Sequence, residues 1–176
     1  MNSTPQTTQK QKQKISGFTL IELLIVLAII ALLLGILWSP RSRKPDPLAF
    51  RLVCKSNLKG LYSAITVYAH DNNDVYPNPE RWCDLLVKHS EQIENILRCP
   101  SNKDAKSNYA INPNCEPSSP NDIVLLFETK DGWNQQGGPE LLTTENHQGK
   151  GSNILYNNGT VRFERTKELE TLKWKP

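Results

Sequence analysis

The sequence predicts an α+β protein: a long apolar N-terminal helix, then a helix packed on a small antiparallel β-sheet. Three observations predict it. The run from Phe18 to Trp38 is apolar almost throughout, with Glu22 its one strongly polar residue. From Pro47 to about Asp71, residues Phe50, Cys54, Leu58, Leu61, Tyr62, Ile65 and Ala69 recur at spacings of three and four, which makes one apolar helix face. Later, short strand-like runs flank Asn157-Asn158-Gly159, a hairpin signal. A helix first and antiparallel strands after is an α+β order.

Residues 1–14 are polar, rich in Gln, Thr and Lys, and predicted to be disordered. As a helix, the run from Phe18 to Trp38 would be roughly 31 Å long, close to the ~30 Å hydrocarbon core of a bilayer. An acid at the centre of such a helix costs on the order of 2.5–3.5 kcal/mol on insertion scales, so Glu22, near one end, calls for a partner.

Ile15-Ser16-Gly17-Phe18-Thr19-Leu20-Ile21-Glu22, after a basic leader and before an apolar helix, resembles the start of type IV prepilins and type II secretion pseudopilins. The resemblance covers Ile15 to Trp38. It implies cleavage by a prepilin peptidase between Gly17 and Phe18, and N-methylation of Phe18. It also implies that Glu22 of one subunit neutralises the Phe18 amine of its neighbour in the low-dielectric core of a filament. A plain secretory signal fits less well, because Gly35-Ile36-Leu37-Trp38-Ser39-Pro40 ends the run without a small-residue cleavage site. An uncleaved anchor explains the length but not Gly-Phe-Thr-Leu-Ile-Glu.

The chain has 176 residues and a formal charge of +3. Lys10, Lys12 and Lys14 lie in the leader, and without them basic and acidic side chains balance. The excess is therefore a topology signal that holds this end in the cytoplasm, and no nucleic-acid partner is expected. The expected organisation is a cleaved leader (1–17), a membrane-spanning and filament-core helix (18–38), a Pro/Arg-rich linker (39–46) and an exported globular domain (47–176). The place is a bacterial inner membrane, crossed once, with the domain on the periplasmic side.

Trp38 suits the membrane interface, and Arg41, Arg43 and Lys44 can reach lipid phosphates. Pro40, Pro45 and Pro47 predict a kink or break near 40–47. Asp46-Pro47 then restarts a helix as N-cap and first helical residue. Lys55, Asn57 and Lys59 fall on its polar side. Asp71-Asn72-Asn73-Asp74 ends it as a capping turn, without the glycine and closing glutamate of an EF-hand calcium loop. Residues 81–89 predict a short helix with Trp82, Leu85 and Leu86 inward. Residues 99–121, rich in Pro, Asn and Ser, predict a loop long enough to need a staple, with Cys99 and Cys115 at its ends.

Ile123 to Phe127 reads as a central strand. Asn153–Asn157 and Thr160–Glu164 are predicted to pair through a type I′ turn, and the tail from Thr166 to Trp174 to form a helical turn or two. Cys54-Lys-Ser-Asn-Leu-Lys-Gly and the His147 to Gly159 stretch resemble a branch of pseudopilin-like proteins with a C-terminal His-x9-Asp-Gly segment. Here the spacing is ten and Asn158 replaces the aspartate, so the resemblance implies a final hairpin, and no special role is carried over to His147.

Cys54, Cys83, Cys99 and Cys115 lie in the exported part, where one or two disulfides are expected, with three pairings open. No Cys-x-x-Cys pair suggests a zinc ribbon. His70, His89 and His147 accompany no nucleophile motif and read as surface or hydrogen-bonded residues. No catalytic residue, metal or cofactor is expected. The predicted function is a structural subunit of a type II secretion pseudopilus, with prepilin peptidase, other pilin subunits and the bilayer as partners. A type IV pilus subunit and a membrane-anchored binding module are the alternatives.

Overall fold

The computed structural model describes residues 18–37, 47–102 and 104–176. It divides into two compact units, Met1–Arg43 and Lys44–Pro176.

In the first unit, helix α1 covers Leu20–Leu37. Leu-rich composition favours helix, yet every described side chain from Phe18 to Ile36 is exposed. The helix is shorter than the predicted span because Phe18 and Thr19 precede it. Its 18 residues rise about 27 Å. Among the described residues no helix is long and apolar enough to cross a membrane. The predicted linker and kink near 40–47, with the Asp46 cap, fall almost wholly outside the described residues.

The second unit begins with α2, Pro47–Asp71, with Pro47 at its first position, as expected. Cys54, Leu58, Leu61, Ile65 and Ala69 are buried along one face. Asn57, expected on the polar side, is buried too. Its Nδ2 donates to the carbonyl of Arg98 at 2.9 Å, which rewards its burial. After Asp71, Asn73 and Asp74 take left-handed φ values of 56° and 55°. The Asp74 amide donates to the Ala69 carbonyl at 2.9 Å, so this stretch is the helix terminator predicted.

Helix α3, Trp82–His89, buries Trp82, Cys83 and Leu86, with Leu85 half-buried. Its first turn is capped from a distant loop: Asn134 Oδ1 accepts from the amides of Cys83 and Asp84 at 2.8 and 3.3 Å. A one-turn helix α4, Ile93–Ile96, follows.

The sheet holds β1 Tyr109–Ile111, β2 Val124–Glu128, β3 Gly151–Tyr156 and β4 Val161–Arg165, antiparallel in the order β1-β2-β3-β4. Strand β2 is central and fully buried, as its unbroken apolar run predicts. Strand β1 lies inside the segment predicted as loop. A register shift between Val124 and Leu126 places Leu125 and Leu126 both in the helix-side core. Val124 and Phe127 join the opposite side, where Phe127 meets Trp174 edge-on at 4.8 Å between ring centres. The tail makes one turn, Leu169–Thr171, and then bridges Lys173 to Ile123.

The β3–β4 turn differs from prediction. Only Gly159 has positive φ, at 77°, so the connection is a three-residue loop and not a type I′ pair. Asn157 explains this. Its Nδ2 donates to the carbonyl of Ser119 at 2.7 Å and its Oδ1 accepts from Tyr76 Oη at 2.8 Å, so it serves the core rather than the turn.

Candidate functional site

Thr19 and Glu22 build the start of α1 together. The Thr19 carbonyl accepts the helix's first bond, from the Leu23 amide at 3.3 Å, which makes Thr19 the N-cap. Glu22 Oε2 accepts from the Thr19 amide at 2.9 Å and from Thr19 Oγ1 at 2.8 Å. Thr19 Oγ1 accepts from the Glu22 amide at 3.4 Å. This reciprocal arrangement is a capping box, with a carboxylate at the positive end of the helix dipole. Its signal, Thr-x-x-Glu before an apolar run, stood in the sequence and was masked by the membrane reading. Phe18 is 78% exposed beside it. Gly17 lies outside the described residues.

The cysteines correct the disulfide expectation: all four are buried free thiols. Cys99 and Cys115 do not staple the loop they bracket. Cys115 Sγ donates to Asn157 Oδ1 at 3.4 Å, and burial pushes its thiol up to about 12. Burial likewise pushes Cys83 up to about 12. The loop is held by Asn108 instead. Its Oδ1 accepts from the Cys99 amide at 2.8 Å, its amide donates to the Leu97 carbonyl at 2.9 Å, and its Nδ2 donates to the Lys130 carbonyl.

Cys99 belongs to a second group. Cys54 of α2, Cys99 beyond α4, Glu128 at the end of β2 and His147 of the turn Glu145–His147 are all buried, and each offers a donor atom within 4.8 Å of the others. Glu128 Oε1 faces His147 Nε2 at 2.9 Å. Glu128 Oε2 accepts from the Asn153 amide at 2.7 Å and from Ser152 Oγ at 3.2 Å. The Cys54 and Cys99 thiols interact, which holds Cys99 down to about 7 and raises Cys54. Ser101 Oγ lies 2.9 Å from the Cys99 sulfur. His70 and His89 are exposed, as predicted, whereas His147 is a buried member of this cluster. No sequence spacing announces the group, because its members come from four separate elements.

An apolar helix opened by an acidic cap, in a chain with a separate helix-on-sheet unit, defines the class: a folded domain carried behind an apolar N-terminal helix. Within that class, residues 12–38 match the prokaryotic N-terminal methylation motif. The chain is also similar to Type II secretion system core protein G of Pseudomonas aeruginosa, 33% identical over 78 residues, which is 44% of this chain and 54% of that protein. The chain thus spans about half the length of this curated relative. Motif and likeness support membership of the prepilin and pseudopilin family. No solved structure matches.

Proposed function

We propose that this chain is a structural subunit of a type II secretion-type pseudopilus, processed between Gly17 and Phe18 and assembled through its N-terminal helix. The observation that carries the reading is the capped, wholly exposed apolar helix inside the methylation motif. Exposed apolar side chains in such number need lipid or other helices around them. In the precursor the segment lies in the membrane, where the apolar Phe18 ahead of the helix adds to a span that alone falls short of the ~30 Å core. After cleavage, neighbouring helices replace the lipid. Glu22 Oε2 serves the cap, and among the described residues Oε1 has no partner. That oxygen is free to meet the Phe18 ammonium of the next subunit, where a low dielectric strengthens the pair. The role is structural and not catalytic.

The test is intact and N-terminal peptide mass spectrometry on chain extracted from membranes. A mature chain beginning at N-methylated Phe18 is expected. A start upstream of Gly17, or near residue 36, removes the proposal.

A further inference from the structure

The four buried side chains beneath α2 carry an inference separate from the filament role, which runs through Phe18 and Glu22. We propose that Cys54, Cys99, Glu128 and His147 are the ligands of one structural zinc ion that ties α2 and the 97–108 loop to the sheet.

The donor set is the first argument. Two sulfurs, an imidazole nitrogen and a carboxylate oxygen converge within 4.8 Å. Tetrahedral zinc, with Zn–S near 2.3 Å and Zn–N near 2.0–2.1 Å, holds its ligand atoms about 3.3–3.8 Å apart. The His147–Glu128 separation of 2.9 Å lies just under that range, so small side-chain movements bring all four into place. Paired sulfurs disfavour calcium and magnesium, which take oxygen ligands. Four protein ligands leave no open position, which marks a structural rather than a catalytic ion.

Charge is the second. Glu128 is completely buried, and among the described residues no Lys or Arg forms an ion pair with it. A buried carboxylate needs a compensating charge. A divalent cation gives the carboxylate a directly bonded positive partner and binds the thiols as thiolates, releasing their protons to solvent, so the whole cluster keeps a charge of −1.

The hydrogen bonding is the third. Asn153 Nδ2 lies 3.2 Å from His147 Nε2, the same nitrogen that faces Glu128. His147 Nδ1 and Asn153 Oδ1 are buried without partners, so the protein alone leaves the cluster incompletely satisfied. The groups around it are those of a metal's outer shell. Asn153 N and Ser152 Oγ fix one oxygen of Glu128, and Ser101 Oγ meets the Cys99 sulfur. These donors also offset the negative charge that two thiolates and a carboxylate leave around a dication.

The test uses the full chain, extracted in detergent without chelator or reductant, with metal measured by plasma mass spectrometry. About one zinc per chain is expected. Glu128→Gln and Cys99→Ser are expected to reduce it at least tenfold, whereas Cys115→Ser, a buried thiol outside the cluster, retains it. Should the ligand variants fail to fold, wild-type chain is stripped of metal and given cobalt(II). Thiolate-to-cobalt charge-transfer absorption with tetrahedral visible bands is expected. A chain with less than a tenth of an equivalent of zinc and no cobalt spectrum overturns the proposal. So does a Cys54–Cys99 disulfide in the intact mass, or iron or copper in place of zinc.

Discussion

At the residue scale Glu22 caps α1, and a substitution can separate that from the proposed pairing with a neighbour's Phe18 amine. Glutamine also completes a capping box, so Glu22→Gln keeps the local helix start while removing the charge. Thr19→Ala does the reverse, removing the cap at a cost of about 1 kcal/mol and leaving the carboxylate. The expected outcome is that Glu22→Gln is processed and stays in the membrane fraction but fails to cross-link to neighbouring subunits. Thr19→Ala should assemble with reduced yield. Normal assembly of Glu22→Gln would sink the charge-pair role and leave only the cap. Asp84 gives a second test at this scale. Trp133 Nε1 and Asn134 Nδ2 each donate to its carboxylate at 2.7 Å and hold it below the usual carboxylate range. A lowered folded pKa means stability present above the unfolded value of about 3.9 and lost as pH falls through the folded value. Thermal unfolding followed from pH 5 to about pH 2 should show wild type losing its advantage over Asp84→Asn across that window. A gap that does not change with pH would mean the ion plays no part.

At the scale of elements, the hairpin turn makes the sharpest demand on sequence. Gly159 combines φ of 77° with a backbone pressed against the Tyr62 ring, where an added Cβ would overlap the ring carbons. Gly149 has φ of 75° and open space around it. Gly149→Ala should therefore cost only backbone strain, about 1–2 kcal/mol. Gly159→Ala should cost more, by roughly another 1–3 kcal/mol of overpacking. Urea unfolding of both variants checks this, and equal losses would mean that Tyr62 simply moves aside. The same scale shows what a reader of the sequence can and cannot see. Helix α2 and strand β2 were legible because apolar periodicity or an unbroken apolar run encodes burial directly. Strand β1 was not. Tyr109-Ala110-Ile111 is too short to show a period and sits among prolines and asparagines that signal loop. Its place is set by distant bonds, such as Asn112 Nδ2 to the carbonyls of Val124 and Trp174 at 2.7 and 2.9 Å. Asn57 was misplaced for the same reason: its polarity predicts solvent, while its partners wait elsewhere in the chain.

For the whole molecule, the cluster of Cys54, Cys99, Glu128 and His147 is the extreme case of that blindness. Cys54, Cys99 and His147 each had a local explanation — helix face, loop end, scattered histidine — while Glu128 had none, and only the fold makes the four one site. The N-terminal motif is the opposite case, local in sequence and read at once. This division predicts a physical one. Among the described residues every member of both hydrophobic cores lies at or beyond Leu58, and the buried cluster begins at Cys54. Nothing described before Pro47 contributes a buried side chain. The unit Lys44–Pro176 should therefore fold without α1. A chain beginning at Lys44 is expected to melt within about 4 °C of the full chain, the shift that about 1 kcal/mol gives a domain of this size. Fluorescence of buried Trp82 reports it, since its Nε1 donates to the Gln135 carbonyl at 3.0 Å and both are released on unfolding. A shortened chain that lacks a cooperative transition would mean that α1 stabilises the domain as well as carrying it. The proposed passage of the apolar helix from lipid to filament would then weaken the fold of the domain.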